Sequence, residues 1–152
     1  DKDLFAHLLL SGPDFDREYV IARCVELKRD VVMEDEFDTG ARMKLNLGHT
    51  IVHAIEAQSN FSISHGQAVA IGMAIIAKAG CPEIYDRLIA VLQAFSLPTH
   101  TDFTANALYN SALSDKKCAS GTVNLIIPDR IGSCSIVPMP IERLEFFIEE
   151  GL

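Results

Sequence analysis

Several features are missing from this 152-residue sequence, and each absence excludes a class of protein. The 13 basic residues are outnumbered by 21 acidic ones and form no basic stripe, which argues against a nucleic-acid partner. No apolar run reaches the roughly 18 residues that a membrane-spanning helix requires, so we expect no membrane partner. The N-terminus lacks the charged and then apolar pattern of a signal peptide, and we therefore expect a cytoplasmic protein.

The sequence also lacks a CxxC pair, since its four cysteines are scattered: Cys24, Cys81, Cys118 and Cys134. An even number of cysteines would permit two disulfides. However, a chain of this length, 49% hydrophobic, can bury a core without cross-links. We therefore expect buried or free thiols in a reducing cytoplasm, with disulfides as the alternative.

No glycine-rich phosphate-binding loop occurs in the chain, so we assign no residue to nucleotide binding. The first residues, DKDLFAHLLLSG, begin within a helical pattern and without an initiator methionine. We therefore expect residues 1–152 to form one domain of a longer protein.

The hydrophobic periodicity that is present predicts a mainly α-helical domain with one small β-hairpin near the C-terminus. The segment GQAVAIGMAIIAKAG is apolar on nearly all sides, which predicts a central, buried helix. The predicted helices cover about 3–10, 14–33, 41–58, 66–80, 81–97, 104–117 and 141–152, and the hairpin pairs 122–128 with 132–139.

Three of the five histidines lie between residues 45 and 66. His49 and His53 are four residues apart, so on a helix they share a face, and Arg42 and Asn46 extend that face if residues 41–58 form one helix. His65 follows in a Ser-Ile-Ser-His-Gly turn. These histidines could fill part of a metal's coordination sphere. A His-x3-His pair is also common on helices without any ligand role, so the residues alone leave both interpretations open.

The segment LNLGHTIVHAIEAQSNFSISHGQAVAIGM resembles the C-terminal domain of the 3-dehydroquinate synthases, members of the sugar phosphate cyclase family. The family motif reads approximately L-N-F/L-G-H-T-x-G-H-A-I-E, followed by L-x-H-G-E-A-V-x-x-G-M. The later segment LSDKKCASGTVNLIIPDRIG resembles the family's D-K-K…G…IG pattern. Two departures stand out, because Val52 replaces a glycine and Gln67 replaces a glutamate, although neither is a metal ligand in the family.

The resemblance implies a reaction in the shikimate pathway of aromatic amino acid biosynthesis. A seven-carbon substrate, 3-deoxy-D-arabino-heptulosonate 7-phosphate, becomes 3-dehydroquinate and phosphate with transient use of NAD. The resemblance further implies that an N-terminal domain outside this chain holds most of the NAD, and that the full-length protein is a homodimer. The 152 residues alone are then expected to be inactive.

The resemblance also implies roles for individual residues. His49 and His65 correspond to two ligands of a zinc or cobalt ion, and the third ligand is a glutamate in an A-E-x-x-K segment expected before residue 1. His53 corresponds to the catalytic histidine that moves a proton. The residues expected to bind the anionic substrate are Lys28, Arg42, Asn46, Lys116 and Lys117.

Three other interpretations remain open. The chain could belong to a sister sugar phosphate cyclase, or to a metal-dependent polyol dehydrogenase of the same fold. It could also be a helical module without enzymatic activity, in which the histidines are structural.

Overall fold

A computed structural model describes residues 1–37, 40–113 and 121–152 of the chain. The described residues form a mainly α-helical domain with one antiparallel β-hairpin, which confirms the predicted fold class. Short 3₁₀ segments cover Gly12–Asp14, Ala41–Asn46, Pro82–Ile84 and Ile141–Arg143. The longer elements are α1 (Lys2–Ser11), α2 (Arg17–Glu34), α3 (His49–Gln58), α4 (His65–Gly80), α5 (Tyr85–Ala94), α6 (Ala105–Leu113), β1 (Thr122–Arg130), β2 (Ser133–Pro140) and α7 (Leu144–Gly151).

Helix α4 is the centre of the domain, as its all-round apolar sequence predicts. Its Ile71, Ile75 and Ile76 side chains are at most 2% exposed. Helices α3, α5 and α7 and strand β1 all pack against α4. The small alanine and glycine residues between the isoleucines let these neighbours approach closely, so α4 fixes the position of the elements around it.

The β-hairpin covers one side of this core. Strands β1 and β2 pair in antiparallel register, with Leu125 opposite Val137. Val123 and Leu125 alternate into the core, as expected for a strand that is buried on one face. The chain turns at Ile131 and Gly132, where Gly132 has a left-handed φ of 90°, and this confirms the predicted hairpin.

Helix α2 is peripheral, although its sequence contains a broad apolar face. Asp16 caps the helix by accepting a hydrogen bond from the Tyr19 N–H at 3.0 Å. None of its 18 residues is buried, and Ile21 and Val25 are each 63% exposed. The described part of the chain therefore leaves part of the apolar face of α2 exposed, although Val20, Leu27, Val31 and Val32 are half-buried.

The predicted single helix over residues 41–58 is wrong. Residues Ala41–Asn46 form a 3₁₀ helix, Leu47 is extended, and Gly48 adopts a left-handed φ of 81° before α3 begins at His49. In a 3₁₀ helix, residues four apart are rotated by about 120°, so Arg42 and Asn46 do not share a helical face, and no single helix carries them together with the histidines of α3. The predicted helix 104–117 is observed as far as Leu113, and its remainder lies outside the described residues.

The three cysteines in the described ranges are free thiols, as predicted. Cys24 is exposed and Cys134 is half-buried, whereas Cys81 is buried and its Sγ donates to Glu83 Oε2 at 3.5 Å. Burial and this carboxylate raise the pKa of the Cys81 thiol, which disfavours the reactive thiolate. Cys118 lies outside the described residues. Among the helices that the structure describes, none is both long and apolar enough to cross a membrane.

Candidate functional site

The structure brings the three predicted site histidines together at the junction of α3 and α4. His49 is the first residue of α3, and His53 lies one turn later with its ring centroid 6.0 Å from that of His49. His65 is the first residue of α4, and its ring centroid lies 5.5 Å from that of His49. His49 is half-buried, whereas His53 and His65 are exposed. We refer to these three residues as the histidine cluster.

A contact between two glycines sets the distance between α3 and α4 beside His49. A Cβ atom on Gly48 would lie 3.0 Å from the backbone carbon of Gly72 and the nitrogen of Met73. A Cβ atom on Gly72 would in turn lie 3.0 Å from the Gly48 oxygen and from Cγ2 of the fully buried Val52. Val52, which departs from the family motif, thus packs in the space that Gly72 leaves and is fully buried.

The turn before α4 places His65 at the start of that helix. Asn60 and Phe61 have left-handed φ values of 50° and 60° and reverse the chain after α3. Ser64 then caps α4, and its backbone N–H and hydroxyl donate to Gln67 Oε1 at 3.1 and 2.9 Å. Either Gln or Glu can close this capping box. Gln67, which replaces the glutamate of the family motif, therefore preserves the local structure that places His65 at the start of α4.

Glu56 also belongs to this site, although the sequence pattern indicates no specific role for it. The Nδ1–H of His65 donates to Glu56 Oε1 at 2.8 Å, and the Glu56 side chain is 16% exposed. Glu56 follows His49 by seven residues and His53 by three, which places all three on one face of α3. The sequence spacing therefore indicates that Glu56 lies near the histidines of α3. Its hydrogen bond to His65 could not be read from that spacing, because His65 belongs to the next helix.

The separation of the His49 and His65 rings is compatible with two ligands of one metal ion. A zinc ion about 2.1 Å from a nitrogen of each ring, in tetrahedral arrangement, places two ring centroids about 5 Å apart. The observed separation is 5.5 Å. In the described ranges, no group of three His, Cys, Asp or Glu side chains is arranged to hold a metal. The donor set present here is therefore a pair of imidazoles, and further ligands would have to come from elsewhere.

The predicted anion-binding residues are spread over separate elements. Arg42 is half-buried, and its guanidinium Nη1 donates to the Glu36 carbonyl oxygen at 2.8 Å. Asp35 Oδ2 accepts from the backbone N–H of Gly40 at 2.7 Å and from that of Arg42 at 3.0 Å, which fixes the start of the 3₁₀ segment.

The remaining predicted site residues lie on other elements or outside the described residues. Asn46 is half-buried at the end of the 3₁₀ segment, two residues before Gly48. Lys28 is exposed on α2, which is a different element from those that carry the histidine cluster. Lys116 and Lys117 lie outside the described residues.

Comparison with known sequences identifies relatives of this chain. The family model described as 3-dehydroquinate synthase C-terminal matches residues 3–118. A 3-dehydroquinate synthase of Streptococcus suis is 39% identical over 140 residues, which cover 87% of this chain and 39% of that protein. A 3-dehydroquinate synthase of Sulfolobus acidocaldarius is 40% identical over 172 residues, covering 100% of this chain and 48% of that protein. The chain thus spans less than half the length of these curated relatives.

Solved structures share the fold at lower sequence identity. A 2-deoxy-scyllo-inosose synthase complexed with carbaglucose-6-phosphate, NAD⁺ and Co²⁺ has a TM-score of 0.74 and 23% identity, over 89% of this chain and 41% of that one. A 2-epi-5-epi-valiolone synthase from Streptomyces hygroscopicus, with NAD⁺ and Zn²⁺ bound, has a TM-score of 0.77 and 19% identity, over 96% of this chain and 45% of that one. At this identity the comparison shows a common fold.

Proposed function

Since the chain belongs to the 3-dehydroquinate synthase C-terminal family, we propose that it forms the metal- and substrate-binding half of a 3-dehydroquinate synthase. The proposed enzyme is a cytoplasmic carbon–oxygen lyase of the shikimate pathway. It converts 3-deoxy-D-arabino-heptulosonate 7-phosphate to 3-dehydroquinate and phosphate. The observation that carries the proposal is the histidine cluster, in which two imidazoles have the separation of metal ligands and a third lies one helical turn away.

His49 and His65 are the residues that would hold a divalent metal, zinc or cobalt. The metal, when bound, supplies Lewis-acid polarisation of a substrate hydroxyl. The 5.5 Å separation of the two rings supports this role, as do the Co²⁺ and Zn²⁺ ions bound to proteins of the same fold. The proposal requires a further ligand from outside this chain, for which the resemblance implies a carboxylate.

His53 is the residue that we assign to proton transfer. Its imidazole is exposed and lies one turn beyond His49 on the same face of α3. An imidazole changes protonation near neutral pH, which suits a group that accepts a proton from a hydroxyl and later returns it. With its ring centroid 6.0 Å from that of His49, His53 is near enough to reach the same substrate.

The substrate carries a phosphate and a carboxylate, whereas the chain has a net charge of −8. Binding such an anion therefore requires local cations that offset the overall charge. Arg42 directs one guanidinium N–H at the Glu36 oxygen, and the fork geometry of its other donors allows a two-point contact with an anion. Asn46 would donate its amide to a substrate oxygen, and Lys28, Lys116 and Lys117 would act as point charges.

We further propose that NAD is held mainly by an N-terminal domain outside this chain, in a protein that forms homodimers at full length. More than half the length of the relatives lies beyond the region that this chain matches. The exposed apolar side chains of α2, such as Ile21 and Val25, support a partner surface in the longer protein. Both NAD⁺-bound structures with this fold are chains that extend beyond the shared region.

The sister cyclase interpretation is the second candidate, because the solved structures that share this fold act as such synthases. The two interpretations are tested by an assay, with zinc and NAD, of the two-domain protein, by which we mean the full-length protein with its proposed N-terminal domain. We expect phosphate release and 3-dehydroquinate from the seven-carbon keto acid phosphate, and no reaction with sugar phosphates that lack a carboxylate. Turnover of those sugars alone would favour a sister cyclase. Net NADH accumulation from a polyol would favour a dehydrogenase, since in the proposed reaction NADH returns its hydride before the product leaves.

A further inference from the structure

The Glu56 carboxylate lies at the edge of the histidine cluster, where the proposed reaction assigns it no task. Its side chain is only 16% exposed, whereas the neighbouring His65 side chain is 61% exposed. A carboxylate that is largely removed from water requires a donor to compensate for its lost hydration. The structure provides one in the Nδ1–H of His65, 2.8 Å from Oε1.

This bond determines which nitrogen of His65 carries the proton. A carboxylate can only accept, so the proton of the neutral ring lies on Nδ1 and the lone pair lies on Nε2. An imidazole in water otherwise favours the opposite tautomer, with the proton on Nε2. The His65 ring is mostly exposed, so among the described residues this bond and the edge contact with the His49 ring are what restrict its rotation.

We propose that Glu56 is a positioning residue that fixes His65 as the Nδ1–H tautomer, with its ring beside His49 and Nε2 presented as a metal ligand. The inference rests on the function proposed above, in which His65 holds a metal. Metal-ligating histidines generally donate their second N–H to a carboxylate or carbonyl, which fixes tautomer and orientation. His49 shows the backbone version of the same arrangement, since its Nδ1 lies 3.3 Å from the Leu47 oxygen. The His65 ring is thus oriented by a side-chain carboxylate, and the His49 ring by a backbone carbonyl oxygen.

The tautomer can be measured without any metal. Two-bond ¹H–¹⁵N correlation spectra of this chain, recorded at about pH 8, above the range in which a free imidazole titrates, distinguish the two tautomers of each histidine. We expect the Nδ1–H form for His65 in the wild type and in Glu56→Gln, which retains an oxygen acceptor. We expect the Nε2–H form in Glu56→Ala. The matched control is Glu149→Ala, at an exposed position on α7, which should leave the His65 spectrum unchanged.

The consequence for metal binding is measured by zinc titration of the two-domain protein. Loss of an outer carboxylate of this kind weakens metal affinity by about 10- to 100-fold, and we expect this for Glu56→Ala. Glu56→Gln should recover most of that loss. A wild-type His65 in the Nε2–H form, or equal zinc affinity in Glu56→Ala and the wild type, would overturn the inference. A wild type with the Nδ1–H tautomer but no zinc binding would refute the proposed metal site while leaving the Glu56–His65 bond established.

Discussion

At the residue scale, the three clustered histidines differ mainly in what surrounds them. His49 is half-buried and has a backbone oxygen beside Nδ1, and His65 has the Glu56 carboxylate in the same place. Both contacts restrict the orientation of the ring, which the proposed ligand role requires. His53 is exposed on the next turn of α3. These surroundings agree with the proposed roles, in which His49 and His65 are metal ligands and His53 is the acid–base group.

Arg42→Lys tests the anion-binding role at the same scale. The guanidinium can donate to the Glu36 oxygen and still offer a planar pair of N–H groups to an anion, whereas a lysine ammonium cannot do both in that geometry. A hydrogen bond to a charged group contributes about 1.5–3 kcal/mol, so we expect kcat/KM of the two-domain enzyme to fall by about 10- to 100-fold. Steady-state kinetics provide the measurement.

A matched control for this substitution is Arg29→Lys. Arg29 is exposed on α2, and its guanidinium pairs with the adjacent Asp30 at 2.6 Å. That exchange should leave the kinetics unchanged. Wild-type kinetics for Arg42→Lys would place Arg42 outside the substrate site.

Much of the site is readable from the sequence, but only where the signal is local. The spacing of His49 and His53 on α3 and the turn before His65 predict a cluster, and the structure confirms it. The role of Glu56 could not be read in this way, because its partner belongs to the next helix and their contact depends on tertiary packing.

At the element scale, the break before α3 is the main difference between the predicted and observed structures. Apolar residues continue at helical spacing through LNLGHTIV, so periodicity predicts one continuous helix. What interrupts it is the left-handed backbone of Gly48, which lies against Gly72 of α4. That contact involves residues 24 positions apart, and no local pattern contains it. Helix α4, predicted over 66–80, is observed over His65–Gly80, whereas the helix predicted over 81–97 is observed as the 3₁₀ segment Pro82–Ile84 and the shorter α5.

Gly48→Ala tests this account of the helix junction. An alanine at a φ of 81° is strained, and its Cβ would lie 3.0 Å from backbone atoms of α4, which cannot move aside easily. We expect the free energy of unfolding to fall by about 1–3 kcal/mol. Urea denaturation of this chain gives the value.

The control for the junction is Gly66→Ala, within the first turn of α4. A Cβ atom added at Gly66 would meet no heavy atom of the described residues within 4 Å, and the backbone there has no positive φ. That exchange should stabilise the chain by up to about 1 kcal/mol. Equal stability changes for the two variants would show that the Gly48–Gly72 contact does not determine the junction.

At the scale of the whole molecule, the chain combines a well-buried core with one uncovered side. The core runs along α4 and includes α3, α6, α7 and the hairpin. The uncovered side is α2, which has no buried residue. We expect a core of this kind to be sufficient for folding, while the exposed side chains of α2 and the further ligand that the proposed metal site requires predict dependence on another domain.

This division predicts that the 152 residues fold alone but do not catalyse cyclisation. Calorimetry should show cooperative unfolding, and added zinc should change the midpoint temperature of unfolding little. Two neutral ligands bind weakly, and a free zinc concentration near the dissociation constant stabilises by only about 0.4 kcal/mol. An assay with substrate and NAD should detect no product. Measurable cyclisation by the chain alone, or a zinc ion that survives dialysis, would contradict this division of labour.

The central claim is that His49 and His65 hold the metal while His53 moves the proton, and zinc content measured together with turnover tests it most directly. In the two-domain enzyme, His53→Ala should lower turnover by about 100- to 10,000-fold while zinc per chain stays near the wild-type value. His49→Ala, the comparison variant, should lose both. If zinc content in His53→Ala fell in step with turnover, His53 would be a ligand and the assignment of roles within the cluster would be wrong.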